Sequence, residues 1–535
     1  MNVELAGLGR MVAFDLRRSW LRMLIWAVTL AVLVITVVQY QKSTFPTQAD
    51  RDAYAAIANT PSVAALTGLP YAAATAGGIL NIKLWMSNAI ALALVSVFLV
   101  TRNGRAEEES GRAELLRAAA IGRHVISIAG WIVAGLFALA TGLLCGLAAV
   151  AVGLPANGSM LMGLSFTGVA VAFIGVAAVT GQLASTGRGA NAWAGIVLAV
   201  AYLVRAIADV NATGETPHWL TWLSPIGWGQ QTRSFGENQW WALLLPLGFG
   251  VVCGLAALAL ESRRDLGAGI IPVRPGPVHA SPLLATALGL PLRLQRTSLI
   301  AWTLGVAVAG LFFGGIAKLM EDLIGKLGSS PIGEAITSGT DTPVDGLLGF
   351  LLLFLAVLVT GFAVQSTLAL RADEAAHGEV EWSTAVSRWG WAGARIAIPT
   401  LASAIMLLLG GLLQGASYGA QTGEPGQAWR FAAAGLAYWP TVALVIAIVA
   451  VLAAVLPRAA AAISWAVYGV LVLLAALGDV LGIPHDVVQA TPFWVVPQPG
   501  RPDPSWAPVW LMAIGALVLL AIALRRFRRR DLVAE

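Results

Sequence analysis

The sequence predicts an all-α polytopic membrane protein with about twelve spanning helices, arranged as two parallel six-helix halves. Hydrophobic residues make up 58% of the chain and charged residues only 11%, whereas soluble domains carry roughly 25% charged residues. The apolar residues come in long runs, and a run of about 18 or more is typical of a membrane span. Similar motifs recur in both halves of the chain. A soluble globular protein is therefore excluded.

Twelve apolar runs mark the predicted spans. In the first half they cover residues 20–38, 84–100, 125–152, 161–184, 191–210 and 241–260. In the second half they cover residues 299–317, 347–370, 396–413, 431–456, 459–477 and 507–524. Before the first span, Leu5, Leu8, Val12 and Leu16 recur at helical spacing with charged residues between them. This pattern predicts an amphipathic helix at 1–18 that lies along the membrane surface.

The distribution of basic residues predicts the orientation. With the N-terminus in the cytoplasm, most of the 33 Lys and Arg residues fall on the inner side, as the positive-inside rule requires. The arginine cluster at 525–530 is the clearest anchor. We therefore expect a multi-pass protein of the cytoplasmic membrane with both termini in the cytoplasm.

Ordered matches between the halves predict an internal duplication. After span 2 the sequence reads Arg105-x-Glu107-Glu108-x2-Gly111-x2-Glu114, and after span 8 it reads Arg371-x-Asp373-Glu374-x3-Gly378-x2-Glu381. The residues that mark the two ends of span 5, Arg188 and Asp209, recur at span 11 as Arg458 and Asp479. These matches predict pseudo-symmetric halves at 1–264 and 283–535, related by an axis along the membrane normal and joined by a cytoplasmic linker at 265–282.

No pattern predicts a catalytic centre. The chain has no Gly-x4-Gly-Lys-Ser/Thr phosphate loop and no His-Glu-x2-His zinc helix, so we expect no cofactor and no metal on this chain. The one Gly-x-Ser-x-Gly match, at 415–419, follows a membrane span rather than a strand and is attributed to chance. Cys145 and Cys253 lie in apolar runs, which argues against a disulfide.

The membrane midplane carries almost no ionisable residue, so the energy for transport is expected to enter elsewhere. The cytoplasmic loops after spans 2 and 8 are the candidate entry points, as coupling helices at 103–123 and 371–392. The bland alternative is a solvated connector, but positive-inside arginines do not require the carboxylates that both loops carry. The candidate coupling residues are Arg105, Glu107, Glu108, Arg112, Glu114, Arg371, Asp373, Glu374 and Glu381.

Other candidates lie toward the outer face. Arg205 and Asp209 are four residues apart on span 5, so an ion pair is expected, and Asp479 lies just past span 11. A gating role is one interpretation of these residues. The outer loops carry Trp222, Ser224, Pro225, Trp228 and Trp494, which fit either an outer lid or an interfacial aromatic belt.

Together, the surface helix, the six spans per half, the loop from Arg105 to Ala118 and the outer segment Leu223-Ser224-Pro225-Ile226-Gly227-Trp228 resemble type-2 ABC exporter permeases. The closest resemblance is to the tetronasin-type subgroup of actinobacteria, described as exporters of polyketide antibiotics. The resemblance implies a separate cytoplasmic ATPase subunit, acting as a dimer, that binds ATP and Mg²⁺ and docks on the loops. It also implies hydrophobic antibiotics or drugs as substrates. The spans imply contact with lipid, and no nucleic acid is expected as a partner, because the basic residues should sit where the spans meet the cytoplasm. The second loop departs from the pattern, with one extra residue before Gly378 and Glu379 at the place of Arg112.

Two other classes remain open at this point. A secondary transporter of the major facilitator type also has twelve spans in two parallel halves, but the midplane without ionisable residues speaks against it. A membrane-embedded enzyme or assembly scaffold would need clustered polar residues at one membrane depth, and the sequence shows no such cluster.

Overall fold

A computed structural model describes residues 5–118, 121–272, 278–317, 343–383, 386–477, 485–499 and 505–529. Within these ranges the regular structure is helical, with one isolated β-bridge between Thr213 and Thr216. The chain divides into two compact units, Met1–Gly276 and Pro277–Glu535. This boundary falls inside the linker predicted at 265–282, whereas the symmetry between the halves stays a prediction.

The first unit contains twelve α-helices among its described residues. They are α1 (Leu8–Thr44), α2 (Gln48–Ala58), α3 (Pro61–Thr67), α4 (Ala76–Leu80), α5 (Met86–Asn103), α6 (Arg105–Glu109), α7 (Arg112–Arg117), α8 (Val125–Ala151), α9 (Ala156–Leu183), α10 (Gly187–Val210), α11 (Pro225–Gln230) and α12 (Leu244–Glu261). A π-helical segment, Asn81–Trp85, joins α4 to α5, and 3₁₀ segments at Trp219–Leu223 and Trp240–Leu243 precede α11 and α12.

The second unit begins with a 3₁₀ segment, Pro282–Ala285. Its described α-helices are α13 (Gly289–Gly315), α14 (Pro343–Trp382), α15 (Arg388–Thr422), α16 (Gln427–Ala437), α17 (Trp439–Val455), α18 (Ala460–Leu477), α19 (His485–Gln489) and α20 (Ala507–Arg529). Only Tyr438 separates α16 from α17, and Pro440 occupies the first turn of α17.

Eleven helical stretches in the described ranges, some of them formed by consecutive helices such as α16 and α17, are long and apolar enough to cross a membrane. Within α18, Ala460–Ala475 is a shorter apolar stretch. Each of the twelve predicted spans coincides with a helix or a pair of consecutive helices. Helices α12, α13 and α20 leave large apolar side chains exposed, among them Leu255, Ile300 and Leu517. Such surfaces suit lipid and would be insoluble in water. The protein is therefore an all-α, multi-pass membrane protein, as predicted.

The predicted surface helix at 1–18 is not a separate element. Leu8–Thr44 is one continuous helix, because no glycine or proline interrupts the sequence between the amphipathic segment and the span. One stripe of α1 is buried along its whole length, beginning with Met11, Asp15 and Ser19. Met11 packs against Val125 and Ala129 at the start of α8. Leu8 and Val12 of the predicted apolar stripe pack against the same cluster and are partly buried.

Small residues set the closest helix contacts in each unit. In the first unit, a Cβ added at Gly142 of α8 would lie 2.4 Å from the carbonyl oxygen of Gly163 of α9. In the second, a Cβ at Gly310 of α13 would lie 2.4 Å from the carbonyl oxygen of Gly410 of α15. Glycine lets these backbones approach as helices do in membranes, where packing and not the hydrophobic effect drives association.

The two predicted coupling helices also differ from expectation. The first is broken into α6 and α7 at Gly111, whose φ of 74° is easy only for glycine. The second is a continuation of α14, which runs through Arg371 to Trp382 without a break. Its sequence after Leu370 consists largely of good helix formers, and the extra residue before Gly378 leaves no turn signal at the position of Gly111.

Candidate functional site

A buried ion-pair network holds the first loop, where α6 meets the end of α12. Arg264, just beyond α12, donates to both carboxylate oxygens of Glu108, at 2.8 and 2.6 Å. Arg105 donates to Glu108 at 2.7 Å and to the carbonyl oxygens of Gly267 and Ala268 at 3.0 Å each. The side chain of Glu108 is only 6% exposed. Two guanidinium groups that share one carboxylate therefore fix α6 against the chain that leaves the first unit.

Other contacts tie the same loop to three more helices. Arg18 of α1 donates to Glu107, and Arg112 lies 3.6 Å from the same carboxylate. Glu109 accepts a hydrogen bond of 2.9 Å from the backbone N–H of Gly187, the first residue of α10, where a carboxylate complements the helix dipole. Arg264 also donates to Gln182 of α9 at 2.6 Å. A displacement of α6 would therefore act on α1, α9, α10 and α12 together.

The tip of the first loop is exposed. On α7, Arg112 and Glu114 face solvent, and Leu115 is 77% exposed. Among the described residues, the side chain of Glu114 makes no hydrogen bond or ion pair. A free carboxylate beside an exposed leucine is the part of this loop that a protein partner could contact.

In the second loop, a different cation takes the central place. Arg395 of α15 donates to Asp373 at 3.1 Å and to both oxygens of Glu381, at 2.8 and 3.0 Å. Its side chain is 1% exposed and its guanidinium stacks over the Trp391 ring, 4.0 Å from the centroid. Trp391 donates to Glu381 at 2.7 Å, and the Trp382 and Trp391 rings meet edge to face at 5.5 Å. These contacts tie the end of α14 to the start of α15.

Arg371 and Glu374 form an ion pair one helical turn apart on α14. Beyond them, Glu379 and Val380 are exposed, Val380 at 72%. Both loops therefore present a carboxylate followed directly by an exposed apolar side chain, Glu114 with Leu115 and Glu379 with Val380. Neither Leu115 nor Val380 was among the predicted coupling residues, because exposure cannot be read from the motif.

The structure changes the interpretation of the predicted coupling carboxylates. Glu107, Glu108, Asp373, Glu374 and Glu381 make ion pairs within the chain. The cations that complete the clusters, Arg18, Arg264 and Arg395, were missed. Arg18 and Arg264 lie 89 and 156 residues from their partners, and Arg395 lies just outside the second motif. Their only signal was a basic residue at the end of a predicted span. The coupling role of the loops stays a prediction.

At the opposite end of the first unit, the expected pair on α10 is present. Arg205 donates to Asp209 at 3.0 Å, and both side chains are buried. Arg205 also donates to the carbonyl oxygens of Ala64 at 3.2 Å and Ala65 at 2.8 Å, near the end of α3, and stacks on Tyr202, 4.6 Å from the ring centroid. The guanidinium thus complements the negative end of α3 and ties that short helix to α10. The gating role stays a prediction, and Asp479 lies outside the described residues.

The outer-loop candidates form the start of α11. Ser224 caps this helix by accepting from the Gly227 N–H at 3.4 Å and donates to the Ala201 carbonyl at 2.7 Å, with Pro225 in the first turn. Trp228 donates to the Trp222 carbonyl at 2.7 Å, and Trp222 stacks on Trp241 at 6.0 Å. In the second unit Trp494 donates to the Ala475 carbonyl at 3.0 Å. These contacts are structural, and a lid function stays a prediction.

Two strained loops interlock beside α11. Ala72, Arg233 and Phe235 all have positive φ, of 53°, 46° and 68°, which is uncommon for residues with side chains. The Phe235 ring occupies space left by Gly77 and Gly158, where an added Cβ would come within 2.3 and 2.5 Å of it. Sequence patterns gave no sign of this strain, which persists only because the surrounding contacts impose it.

Comparison with known proteins gives a consistent result across the chain. Residues 284–528 match the family described as the multidrug efflux system permease Rv1217c, C-terminal domain. The chain is also 31% identical, over 528 residues, to the multidrug efflux system permease protein Rv1217c of Mycobacterium tuberculosis. That similarity covers 96% of this chain and 93% of the relative.

Proposed function

From the premise that this chain belongs to the Rv1217c family of multidrug efflux permeases, we propose that it is the membrane subunit of an ATP-driven drug exporter. A separate cytoplasmic ATPase, acting as a dimer, would bind ATP and Mg²⁺ and dock on the two loops. The protein would lie in the cell membrane, in contact with lipid, with both termini in the cytoplasm. Its substrates would be hydrophobic drugs or antibiotics, and the tetronasin-type exporters remain the proposed subgroup.

The observation that carries this proposal is the full-length similarity to a multidrug efflux permease, which includes both loops. The absence of a phosphate loop from the sequence supports a separate source of ATP hydrolysis. The exposed tips at Glu114–Leu115 and Glu379–Val380 support docking, because they offer an apolar anchor beside a charge that can steer the approach.

The buried clusters would carry the stroke from the docked ATPase. In the first unit, movement of α6 would pull on α12 through Arg264 and on α1 through Arg18. In the second, movement of the end of α14 would pull on α15 through Arg395. Ion pairs this buried resist separation, since breaking one leaves an uncompensated charge. The loops would therefore move together with their helices, and the Arg205–Asp209 pair would hold an outer gate.

The proposal is tested with the full chain, purified alone and together with a candidate ABC ATPase subunit. We expect no ATP hydrolysis by the chain alone, a stable complex with the ATPase, and lower ethidium accumulation in cells only when both are produced. Hydrolysis by the isolated chain would overturn the division of labour. Export that needs no ATPase and stops when a protonophore collapses the proton gradient at constant ATP would instead establish a secondary transporter.

A further inference from the structure

An apolar groove with two arginines at one end lies between α1 and the second spanning helix. Its walls are Met23 and Trp26 of α1 and apolar residues of α5 that include Leu94 and Phe98. Arg22 and Arg102 complete the lining, and no carboxylate contributes to it. Helix α1 packs against the start of the second span, at α4 and the π-helical segment. The groove lies between α1 and α5, toward Arg22 and Arg102.

The two guanidinium groups form no ion pair with the described residues. Across the described ranges, neither Arg22 nor Arg102 donates a hydrogen bond or lies within ion-pairing distance of a carboxylate. The nearby acid Glu107 is already paired with Arg18 and approached by Arg112. Arg22 and Arg18 both lie close enough to Arg102 to repel its charge, whereas Glu107 and Asp15 attract it. Three arginines thus face two carboxylates at this end of the groove. The groove therefore ends in a surplus of positive charge.

A surplus of guanidinium charge at the mouth of an apolar groove fits an anion with an apolar body. Guanidinium groups bind carboxylates through charge-assisted, often bidentate hydrogen bonds. The apolar walls would remove the rest of such a ligand from water, as in small-molecule sites generally. The cavity measures about 320 Å³, which suits one small ligand better than the paired acyl chains of a phospholipid.

The second unit contains a groove of the same composition. It lies between the segment Pro282–Ala285 and α13, measures about 520 Å³ and is lined by leucines together with Arg293 and Arg296. These two guanidinium groups also make no hydrogen bond or ion pair with the described residues. The same combination of apolar wall and uncompensated arginines thus occurs beside the first long helix of each unit.

We infer that the groove of α1 and α5 is a binding site for amphiphilic organic acids, which are a substrate class for the proposed exporter. The role of these acids as substrates rests on the proposed function, whereas their binding to the groove does not. The site adjoins the first loop, because Arg18, one turn before Arg22 on α1, holds Glu107 of α6. A bound carboxylate would neutralise the arginines next to that contact.

The test measures protection of a thiol placed in the groove. The full chain with Phe98→Cys is reconstituted in nanodiscs of phosphatidylcholine and labelled with a maleimide, with the unsubstituted chain as background for Cys145 and Cys253. Dodecanoate and its uncharged analogue dodecanamide are the probes. We expect dodecanoate to reach half-protection at a concentration at least about tenfold lower than dodecanamide does. Hydrogen bonds to charged groups contribute that factor or more to affinity.

Adding Arg22→Gln and Arg102→Gln should abolish the preference for the acid. The matched control, Arg10→Gln with Arg17→Gln, removes the same charge from exposed positions of α1 and should retain it. Equal protection by both probes, or a preference that survives loss of Arg22 and Arg102, would overturn the inference. If phosphatidylglycerol replaces part of the phosphatidylcholine and protects the thiol without either probe, the groove binds lipid, and the inference is also overturned. None of these readouts needs ATP or export, so a failed proposed function would be recognised separately.

Discussion

Of two glutamates in the first loop, Glu108 should lose stability on substitution by glutamine and Glu114 should not. The carboxylate of Glu108 is buried and holds both Arg105 and Arg264 at 2.6 to 2.8 Å. Glu108→Gln keeps the shape and removes the charge, so two buried guanidinium groups lose their counter-ion. Breaking a buried pair in this way costs about 3–5 kcal/mol. Glu114 is exposed and unpaired in the described structure, so Glu114→Gln should change the free energy of unfolding by at most about 0.5 kcal/mol.

The assay is thermal unfolding of the purified full chain in detergent, followed by tryptophan fluorescence. At about 2–4 °C per kcal/mol for a unit of this size, Glu108→Gln should lower Tm by roughly 6–20 °C, while Glu114→Gln leaves it unchanged. Arg264→Met, which removes one of the two cations with their shared carboxylate still in place, should also lower Tm. An unchanged Tm for Glu108→Gln would refute the clamp. It would mean that water, and not the two arginines, balances this carboxylate.

Three further predictions concern other parts of the chain. Leu115→Ser should weaken recovery of the ATPase complex about tenfold or more with an unchanged Tm, because burial of a leucine contributes about 1.5–3 kcal/mol; undiminished pull-down would exclude this tip from the interface, and Val380→Ser tests the second tip in the same way. Arg205→Lys should expose α3 to limited proteolysis, because lysine lacks the planar fork that holds several acceptors at once, and a native digestion pattern would contradict this. Gly111→Ala should destabilise the first unit by about 1 kcal/mol through its positive φ alone, since no atom lies within 4 Å of the added carbon; a stability equal to that of the native chain would show that α6 and α7 can fuse.

Each correction to the sequence-based predictions has a local cause. The amphipathic segment at 1–18 was predicted as a separate surface helix, but nothing in the sequence breaks it from the span, and α1 is continuous. The loop after span 2 was predicted as one helix, whereas Gly111 divides it. The corresponding loop after span 8 lacks such a break and extends α14 to Trp382. Glycine at a positive φ is therefore the difference between the two loops.

The sequence by itself determined the class of this protein, its spans and the ion pair of Arg205 with Asp209. Those features depend on composition over about twenty residues or on a spacing of four, and both are local properties of a helix. Tertiary structure decided which acids are buried and which are free. Glu108 and Glu114 look alike in the loop motif, but Arg264 lies 156 residues from Glu108 in sequence, and a contact of that separation leaves no periodic signal. Only the packing of α6 against the end of α12 brings the two charges together, because burial makes an unpaired charge too unfavourable to remain there.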